Sequence, residues 1–425
     1  MGRAFYAIPS PLTTAWRLQT VPPGRDCRRG TVRRGLKQRA AAWLARRPTG
    51  GGRMGGGGSD PVEGGVGLVV AGMGSLGSSI LAGLEAARAN LAHPFGSLAK
   101  AGGAGRWGSA QPLRELAPLP ALRDLRLGAF ELRDDDAHRA ALRAGLLPRS
   151  LLEELKVPLR AIRAMAGARH APSRLHLAEA LAGDLRGFAA HHGCGRGVLV
   201  CTIPGPKAPP LRALRAPEDV WRALDESAGE ITPGLVYAAA AAQAGFAFVA
   251  AAPDASLAAP GLERIFAQAG LPFAGCGLLG PEATLREALE RVAAVEGLTV
   301  AGSTSLGTRT SRGASFAACE RAQEIALSPS WAGGSLELSF ELRGPLALHV
   351  AARAFDAALL VDLAQRAGAS GAQDWLSALF AAPVSSSLSL GKREAPASLA
   401  ERREQMLAAL PQLAAAARAR DTAAA

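Results

Sequence analysis

The chain has 425 residues, of which 48% are hydrophobic and 20% are charged, and this composition excludes a globally disordered protein. Its formal net charge of +12 is uneven, because residues 1–60 carry +10 and the rest of the chain only +2. A nucleic-acid interface on the folded part is therefore not expected, since it would need basic residues clustered on one face. Five scattered cysteines favour neither a zinc site nor a disulfide framework, which is typical of the reducing cytoplasm.

Residues 1–62 are predicted to lie outside the folded domains. The segment is strongly basic and leads into the sequence "PTGGGRMGGGGSDPVEGG", whose composition is typical of a flexible linker. Three interpretations stay open: a disordered basic tail, a start assigned too early with the true start near Met54, or a transit-like peptide.

A glycine-rich turn follows the first apolar run of the chain, residues 66–71, which predicts a strand buried on both faces. Gly72, Gly74 and Gly77 have the G-x-G-x-x-G spacing of a dinucleotide site, and a helix is expected to begin at Ser75. Such a turn lets the backbone approach a pyrophosphate, which the N-terminus of the helix then stabilises. The candidate cofactor-binding residues of this turn are Gly72, Gly74, Ser75, Leu76, Gly77 and Ser78. A tight turn with a purely structural role is the alternative.

An acidic residue that binds the ribose is expected at the end of the next strand. Glu131 lies near the end of the strand-like sequence "LRLGAFEL" (Leu125–Leu132), and we predict that it hydrogen-bonds the ribose hydroxyls of the cofactor. The segment between the turn and this strand is longer than usual. The alternative is a surface glutamate beside the acidic residues 134–136.

Strand-like and helix-like segments alternate along most of the remaining chain, which predicts an α/β fold. Strands are predicted at residues 197–204, 246–253 and 298–304, and helices at residues 173–193, 281–297 and 397–425. Residues 334–350 instead alternate between apolar and polar side chains. This pattern predicts an antiparallel or edge strand with one solvated face.

Residues 235–252, "LVYAAAAAQAGFAFVAAA", contain no charge and are long enough for a single membrane span. Alanine drives insertion poorly, however, and Gln243 and Gly245 interrupt the run. We therefore predict a helix that ends at the glycine and is followed by a buried strand, with no membrane association.

Few other motifs indicate catalysis. The histidines lack the spacing of a metal site, so we interpret them as helix-face or cap residues and predict no metal: His170, His176, His191 and His192. No G-x-S-x-G sequence occurs, which disfavours a serine hydrolase. The loop "CTIPGPKAPP" (Cys201–Pro210) either contacts a cofactor anion through Lys207 or is a plain proline-rich loop.

The order of these elements and several motifs resemble the myo-inositol-1-phosphate synthase family over residues 66–384. "VVAGMGSLGSSILAGLEAARANL" is similar to the family's glycine-rich opening, and "LPFAGCGLLGPEATLREAL" occupies the place of a catalytic segment. "ITPGLVYAAAAAQAGFAFVAAAPDASLAAPGL" is closer still. The resemblance implies an α/β fold in which a Rossmann-type NAD-binding domain is interrupted by a second α+β domain for catalysis and tetramerisation.

The same resemblance implies domain limits, a cofactor and partners. The NAD-binding domain would cover residues 63–247, the inserted domain 248–353, and the C-terminal return with its helical tail 354–425. NAD is the implied cofactor. A sugar phosphate is the implied small-molecule partner if the protein is active, and a homo-oligomer, either dimer or tetramer, is the implied assembly.

Family members use NAD to convert glucose 6-phosphate into inositol phosphate, and the resemblance implies two aspartates and several lysines around the sugar. The aspartate positions here hold Cys276 and Gly277. The lysine positions hold Leu279, Thr284, Arg286, Gln323, Leu327 and Ala381. No other register restores these lysines, because the chain has none between Lys207 and Lys392. Arg286 alone keeps a positive charge and is the catalytic candidate.

These substitutions predict that synthase turnover is lost or greatly altered. Ammonium groups stabilise a developing oxyanion and relay protons, whereas arginine stays protonated and relays them poorly. A non-catalytic, NAD-binding oligomeric scaffold or regulatory protein is the alternative. A third interpretation is a working synthase or dehydrogenase that uses arginines such as Arg286, Arg309 or Arg312.

Overall fold

A computed structural model describes the chain in seven ranges: 65–92, 113–206, 214–229, 231–310, 319–328, 336–381 and 398–424. Several predictions concern parts that lie outside this description, namely residues 1–62, Lys207, Arg312 and the side chains of Arg309, Gln323 and Leu327. Among the helices that the structure describes, none combines the length and apolarity needed to cross a bilayer.

A parallel sheet of seven strands forms the centre of the described structure. The strands are β1 Gly65–Ala71, β2 Leu125–Glu131, β3 Ala164–Ala166, β4 Cys194–Cys201, β5 Ala247–Ala250, β6 Pro272–Gly275 and β10 Gly371–Ala372. They lie in the order β10-β6-β5-β4-β1-β2-β3, and every neighbouring pair is parallel. The apolar run of β1 is buried because strands flank it and helices cover the sheet. The predicted α/β class is confirmed.

Helices pack on both faces of this sheet. The helices of the described residues are α1 Ser75–Arg88, α2 Leu113–Leu116, α3 Ala137–Ala144, α4 Arg149–Glu154, α5 Lys156–Ala161, α6 Arg174–His192, α7 Pro217–Asp225, α8 Pro233–Ala244, α9 Pro260–Ala269, α10 Pro281–Val295, α11 Leu346–Ala367 and α12 Leu399–Ala424. Helix α10 packs on the second sheet, which is described below. On one face, α1, α11 and α12 share a core with Leu68 and Val70 of β1. On the other face, the ring of Phe188 on α6 lies against Gly67 and Gly128, where a Cβ would approach it to 3.1 and 2.7 Å.

A second sheet of three antiparallel strands contains β7 Thr299–Thr310, β8 Cys319–Ser328 and β9 Leu336–Gly344. The predicted alternating strand is β9, and it lies at an edge as expected. Its predicted end at residue 350 was wrong, because the alternation stops at Gly344 and α11 begins directly after Pro345. The strand predicted at 298–304 is β7, which extends to Thr310 through mostly polar residues that carry little hydrophobic signal.

The uncharged residues 235–252 divide into helix α8 and strand β5, as predicted. Thr232 caps α8, since its Oγ1 accepts a hydrogen bond from the N–H of Leu235 at 3.2 Å. Gly245, with φ of +81°, ends the helix in the left-handed conformation. Nearly all of α8 and the whole of β5 are buried, so the apolar composition reflects burial inside the protein.

The path of the chain through the two sheets explains why the parallel sheet is assembled from distant segments. After Gly275 the chain leaves the parallel sheet, forms α10 and the three antiparallel strands, and returns through α11 to add β10 beside β6. Strand β5 pairs with β4, and β6 pairs with β5, so both belong to the parallel sheet. The domain limits at residues 247 and 353 remain a proposal.

Candidate functional site

The carboxyl ends of β1, β2 and β4 meet at one edge of the parallel sheet. Strand β1 pairs with β2 on one side and with β4 on the other, so the connections diverge at this point. Ligands of open parallel sheets bind in the crevice outside such a switch point. The glycine turn follows β1 and Glu131 ends β2, so the structure brings both predicted parts of the cofactor site to this edge.

The three glycines of the turn meet different steric demands. Gly72 has φ of +92°, a conformation that L side chains rarely adopt. A Cβ on Gly77 would lie 1.9 Å from the carbonyl oxygen of Gly72, so the helix can approach the turn only without a side chain there. Gly74 is exposed, and none of its described neighbours lies within 4 Å of a Cβ added to it. The backbone at Gly74 is therefore open to a ligand.

Helix α1 begins at this open position. Gly74 is its N-cap and supplies no side-chain cap, so the first N–H groups of the helix keep their capacity to bind an anion. Ser75 is exposed and Leu76 is half-buried, whereas Ser78 is buried and donates its hydroxyl to Gly74 O at 2.7 Å. Ser75 and Leu76 can thus meet a ligand directly, and Ser78 supports the turn from behind.

The turn is also fixed by contacts from both neighbouring strands, which sequence reasoning missed. The N–H of Gly72 donates to Phe130 O at 2.9 Å. The hydroxyl of Thr202, directly after β4, lies 2.8 Å from Gly72 O and 3.1 Å from Ala71 O. The sequence signal that could have identified Thr202 is its position as a polar residue directly after a buried strand.

The Glu131 carboxylate is hydrogen-bonded to the backbone of the same turn. Its Oε2 accepts from the N–H of Met73 at 2.8 Å, and its Oε1 accepts from the N–H of Leu132 at 2.8 Å. Each carboxylate oxygen has a second acceptor position, so these bonds leave room for hydroxyl donors. Glu131 is therefore an anchor of the turn, and its binding of ribose remains a prediction.

A buried carboxylate that was not predicted lies after β5. Asp254 is 1% exposed, and its two oxygens accept from Thr232 Oγ1 at 2.7 Å and from the N–H and hydroxyl of Ser256 at 3.0 and 2.6 Å. A Cβ on Gly205 would lie 2.1 Å from its carboxyl carbon, so the loop after β4 passes directly over the carboxylate. The loops after β4 and β5 are thereby held together.

The segment after β6, which the resemblance identifies as catalytic, contains no ionised acid at its first position. Cys276 is 4% exposed, and its thiol lies 3.1 Å from Asp254 O and 3.4 Å from Ala252 O. Burial raises the pKa of this thiol to about 11, so it stays protonated at neutral pH. Leu279 is 8% exposed and packs within the main hydrophobic core.

The catalytic candidate Arg286 lies on α10, one helical turn before Glu290. Its Nε lies 3.4 Å from Glu290 Oε1, and its side chain is 43% exposed. Thr284 on the same helix accepts a hydrogen bond from Arg353 Nη2 at 3.0 Å, a contact that sequence reasoning missed. A guanidinium in this environment can bind an anion, but it cannot exchange protons near neutral pH.

The described residues contain no group of three or more His, Cys, Asp or Glu side chains arranged to hold a metal ion. His176 Nδ1 lies 2.8 Å from the hydroxyl of Ser173, which caps α6. This contact agrees with the interpretation of the histidines as helix-face and cap residues.

Comparison with known sequences gives a family match. A model of an NAD-binding domain, described as myo-inositol-1-phosphate synthase, matches residues 66–395. The curated inositol-3-phosphate synthase 1 of Bacteroides thetaiotaomicron is 27% identical over 235 residues, which are 51% of this chain and 54% of that protein. The chain thus spans about half the length of this curated relative.

Comparison with solved structures gives the same fold. The inositol-3-phosphate synthase of Caenorhabditis elegans matches with a TM-score of 0.70 and 15% identity, covering 83% of this chain and 86% of that one. A myo-inositol-1-phosphate synthase-related protein of Thermotoga maritima matches with a TM-score of 0.59 and 15% identity, covering 81% and 98%. These matches confirm the predicted α/β fold, and the family model identifies the NAD-binding domain within it.

Proposed function

Because the chain belongs to the myo-inositol-1-phosphate synthase family, we propose that it binds NAD at the turn after β1 but converts glucose 6-phosphate slowly or not at all. NAD is the cofactor of this family's NAD-binding domain, and when bound it supplies reversible hydride transfer. The observation that carries the proposal is the contrast between an open glycine turn and a catalytic segment without the implied acids and lysines.

The residues of the turn fit a dinucleotide. The open position at Gly74 admits a pyrophosphate to the backbone, and the uncapped start of α1 offers N–H groups and the positive end of the helix dipole. Glu131 stands beside the turn with acceptor capacity for ribose hydroxyls. Gly72, Gly77 and Ser78 maintain the turn.

The described part of the catalytic segment supports weak or absent turnover. At the positions that the resemblance aligns with an aspartate and a lysine, Cys276 and Leu279 are buried, and neither carries a charge. Loss of one group that stabilises an oxyanion costs about 3 kcal/mol, and such losses do not add simply. Arg286 restores a positive charge without a proton relay.

Two assays on the full chain test this function. NAD and NADH are titrated into the purified protein by calorimetry, and saturable binding is expected. Formation of inositol phosphate from glucose 6-phosphate with added NAD is then measured, with an active family member as a positive control. Failure to bind at millimolar cofactor would refute the nucleotide site. Turnover comparable with the positive control, and abolished by Arg286→Ala, would refute the loss of activity.

The non-catalytic oligomeric scaffold is the second candidate, and an exposed apolar face on α10 supports the assembly that it requires. The inner side of α10 packs on the antiparallel sheet through Leu289 and Ala293. Val292 and Val295, three residues apart on the helix, are 63% and 85% exposed. We propose that a second copy of the chain covers this face, as in the predicted homo-oligomer.

Light scattering of variants tests this assembly. We expect Val295→Glu to lower the mass of the particle, because a carboxylate would be buried against the partner. Val157→Glu is the matched control, since Val157 is 81% exposed on the separate helix α5. A monomeric wild-type protein, or an equal effect of both variants, would exclude this interface. A cytoplasmic location is also part of the proposal, and the free thiols of Cys194, Cys201 and Cys276 agree with it.

A further inference from the structure

We propose that Tyr237 is a positioning residue of the cofactor site and that it favours NAD over NADP by holding the Glu131 carboxylate in place. Tyr237 lies on α8, whereas Glu131 ends β2 and the glycine turn follows β1. The inference deepens the proposed function and rests on it for the identity of the ligand.

The Tyr237 side chain is buried and makes one specific hydrogen bond. The residue is 1% exposed, and its hydroxyl donates to the carbonyl oxygen of Gly167, directly after β3, at 3.0 Å. Burial raises the pKa of this phenol well above its ordinary value, and the negative charge of Glu131 acts in the same direction. The hydroxyl therefore keeps its proton and stays a hydrogen-bond donor throughout the physiological pH range.

Gly167 connects this hydroxyl to the end of β2. Its N–H donates to the carbonyl oxygen of Glu131 at 2.8 Å. A Cβ on Gly167 would lie 2.7 Å from the Tyr237 hydroxyl and 3.0 Å from Glu131 O, so the loop after β3 fits between them only without a side chain. Tyr237 and Glu131 are thus joined through one residue that is in close contact with both.

The aromatic ring of Tyr237 supports the same strand end through a second contact. Its centroid lies 5.5 Å from that of the Phe130 ring, which is tilted by 52° to it. Phe130 O accepts from the N–H of Gly72 at 2.9 Å, and the carboxylate of the next residue, Glu131, accepts from the N–H of Met73 at 2.8 Å. The ring therefore packs against the short backbone segment from which both hydrogen bonds to the glycine turn originate.

A carboxylate held at this position discriminates between the two nicotinamide dinucleotides. An acidic residue at the end of the second strand accepts from the ribose 2′-hydroxyl of NAD, whereas NADP carries a phosphate there. A fixed carboxylate repels this phosphate, and the repulsion weakens as the distance between the charges grows. If the end of β2 is released, NAD loses a hydrogen-bond acceptor while NADP loses a repulsive neighbour.

Calorimetric titration of the full chain with NAD and NADP tests this role in Tyr237→Phe, which removes the hydroxyl and keeps the ring. We expect the Kd for NAD to rise about fivefold and the ratio of the Kd for NADP to that for NAD to fall by about the same factor. In a Glu131→Gln background, the same substitution should change the Kd for NAD less than about twofold, because the carboxylate that Tyr237 positions is already absent.

Trp375→Phe is the matched control, since it also removes one side-chain donor. Trp375 Nε1 donates to Gln373 Oε1 at 3.0 Å, just after β10, at the opposite edge of the parallel sheet from β3. This variant should change the Kd for either dinucleotide less than about twofold.

Hydrogen exchange of the free protein provides a measurement that needs no cofactor. Tyr237→Phe should speed exchange in peptides that contain Met73 or Gly167, and Trp375→Phe should not. The proposal would be overturned by unchanged exchange, by an unchanged Kd for NAD, by equal weakening of NAD and NADP, or by an undiminished effect in the Glu131→Gln background. Absence of NAD binding by the wild-type protein would instead refute the proposed function, and the exchange rates would still decide whether Tyr237 holds the end of β2.

Discussion

Single glycine-to-alanine substitutions in the glycine turn can distinguish its structural role from its ligand-binding role. In Gly77→Ala, the new Cβ would lie 1.9 Å from Gly72 O, where real contacts are at least about 3 Å, so the helix and the turn must move apart by about 1 Å. We expect a loss of about 3 kcal/mol in the free energy of unfolding, together with loss of NAD binding. In Gly74→Ala, the methyl group meets no described atom within 4 Å, so stability should be unchanged within about 0.5 kcal/mol.

The same methyl group on Gly74 would occupy the open position where the pyrophosphate approaches the backbone. We therefore expect the Kd for NAD to rise at least about tenfold in Gly74→Ala, which corresponds to ~1.4 kcal/mol. Gly83→Ala is the control, because Gly83 lies in α1, is exposed, and has open space around its Cβ position. It should stabilise the protein by about 0.5 to 1 kcal/mol and leave the Kd unchanged.

Urea unfolding and calorimetric NAD titration of the three variants check this reasoning. Wild-type affinity in Gly74→Ala would refute the assignment of the open position to the pyrophosphate. Wild-type stability in Gly77→Ala would refute the steric argument for the close approach of α1 to the turn.

Three other substitutions test individual polar groups. Asp362 is fully buried and forms an ion pair with Arg196 at 2.8 Å. Burial raises the pKa of Asp362, and the charge of Arg196 only partly opposes this shift. The native state therefore holds this proton more strongly than the unfolded chain, and the contribution of Asp362 to stability falls as pH rises. Arg196→Met should lower the free energy of unfolding by about 3 kcal/mol at neutral pH and by less in acid, where Asp362 is protonated. A loss of stability that does not change with pH in urea titrations would contradict this prediction. His138 is 3% exposed, and its ring nitrogens have no hydrogen-bond partner among the described residues. His138→Leu should therefore raise the free energy of unfolding by about 1 kcal/mol and increase the Tm. A lower Tm would contradict this prediction. Glu131→Gln removes one carboxylate acceptor of the turn and should lower the free energy of unfolding by about 1 kcal/mol. It should also raise the Kd for NAD about tenfold. An unchanged Kd would exclude a contact between Glu131 and the ribose.

The parts of the fold that sequence could predict are those with a local signal. The buried run of β1 and the glycine at the end of α8 follow directly from hydrophobic period and turn chemistry. The full length of β7 could not be predicted, because its polar second half is stabilised by pairing with β8 and not by its own composition.

The candidate site likewise contains residues with a local sequence signal and residues whose role depends on contacts between distant segments. The glycine spacing and Glu131 were predictable because their chemistry is local, and the structure places them at one edge of the sheet. Asp254 and Thr202 were missed, since each acts on a loop that is distant in sequence. The contact of Arg353 with Thr284 was missed for the same reason, because it spans 69 positions of the chain.

The burial of Leu279 limits which side chains its position can hold. The leucine is part of the hydrophobic core, and Arg353 Nη1 donates to its carbonyl oxygen at 2.5 Å. A lysine at this position would place an ammonium group among apolar side chains and close to an existing guanidinium. Adding a charged group to this segment would therefore require several neighbouring core residues to change together, so a single substitution would destabilise the fold before it could supply a new function.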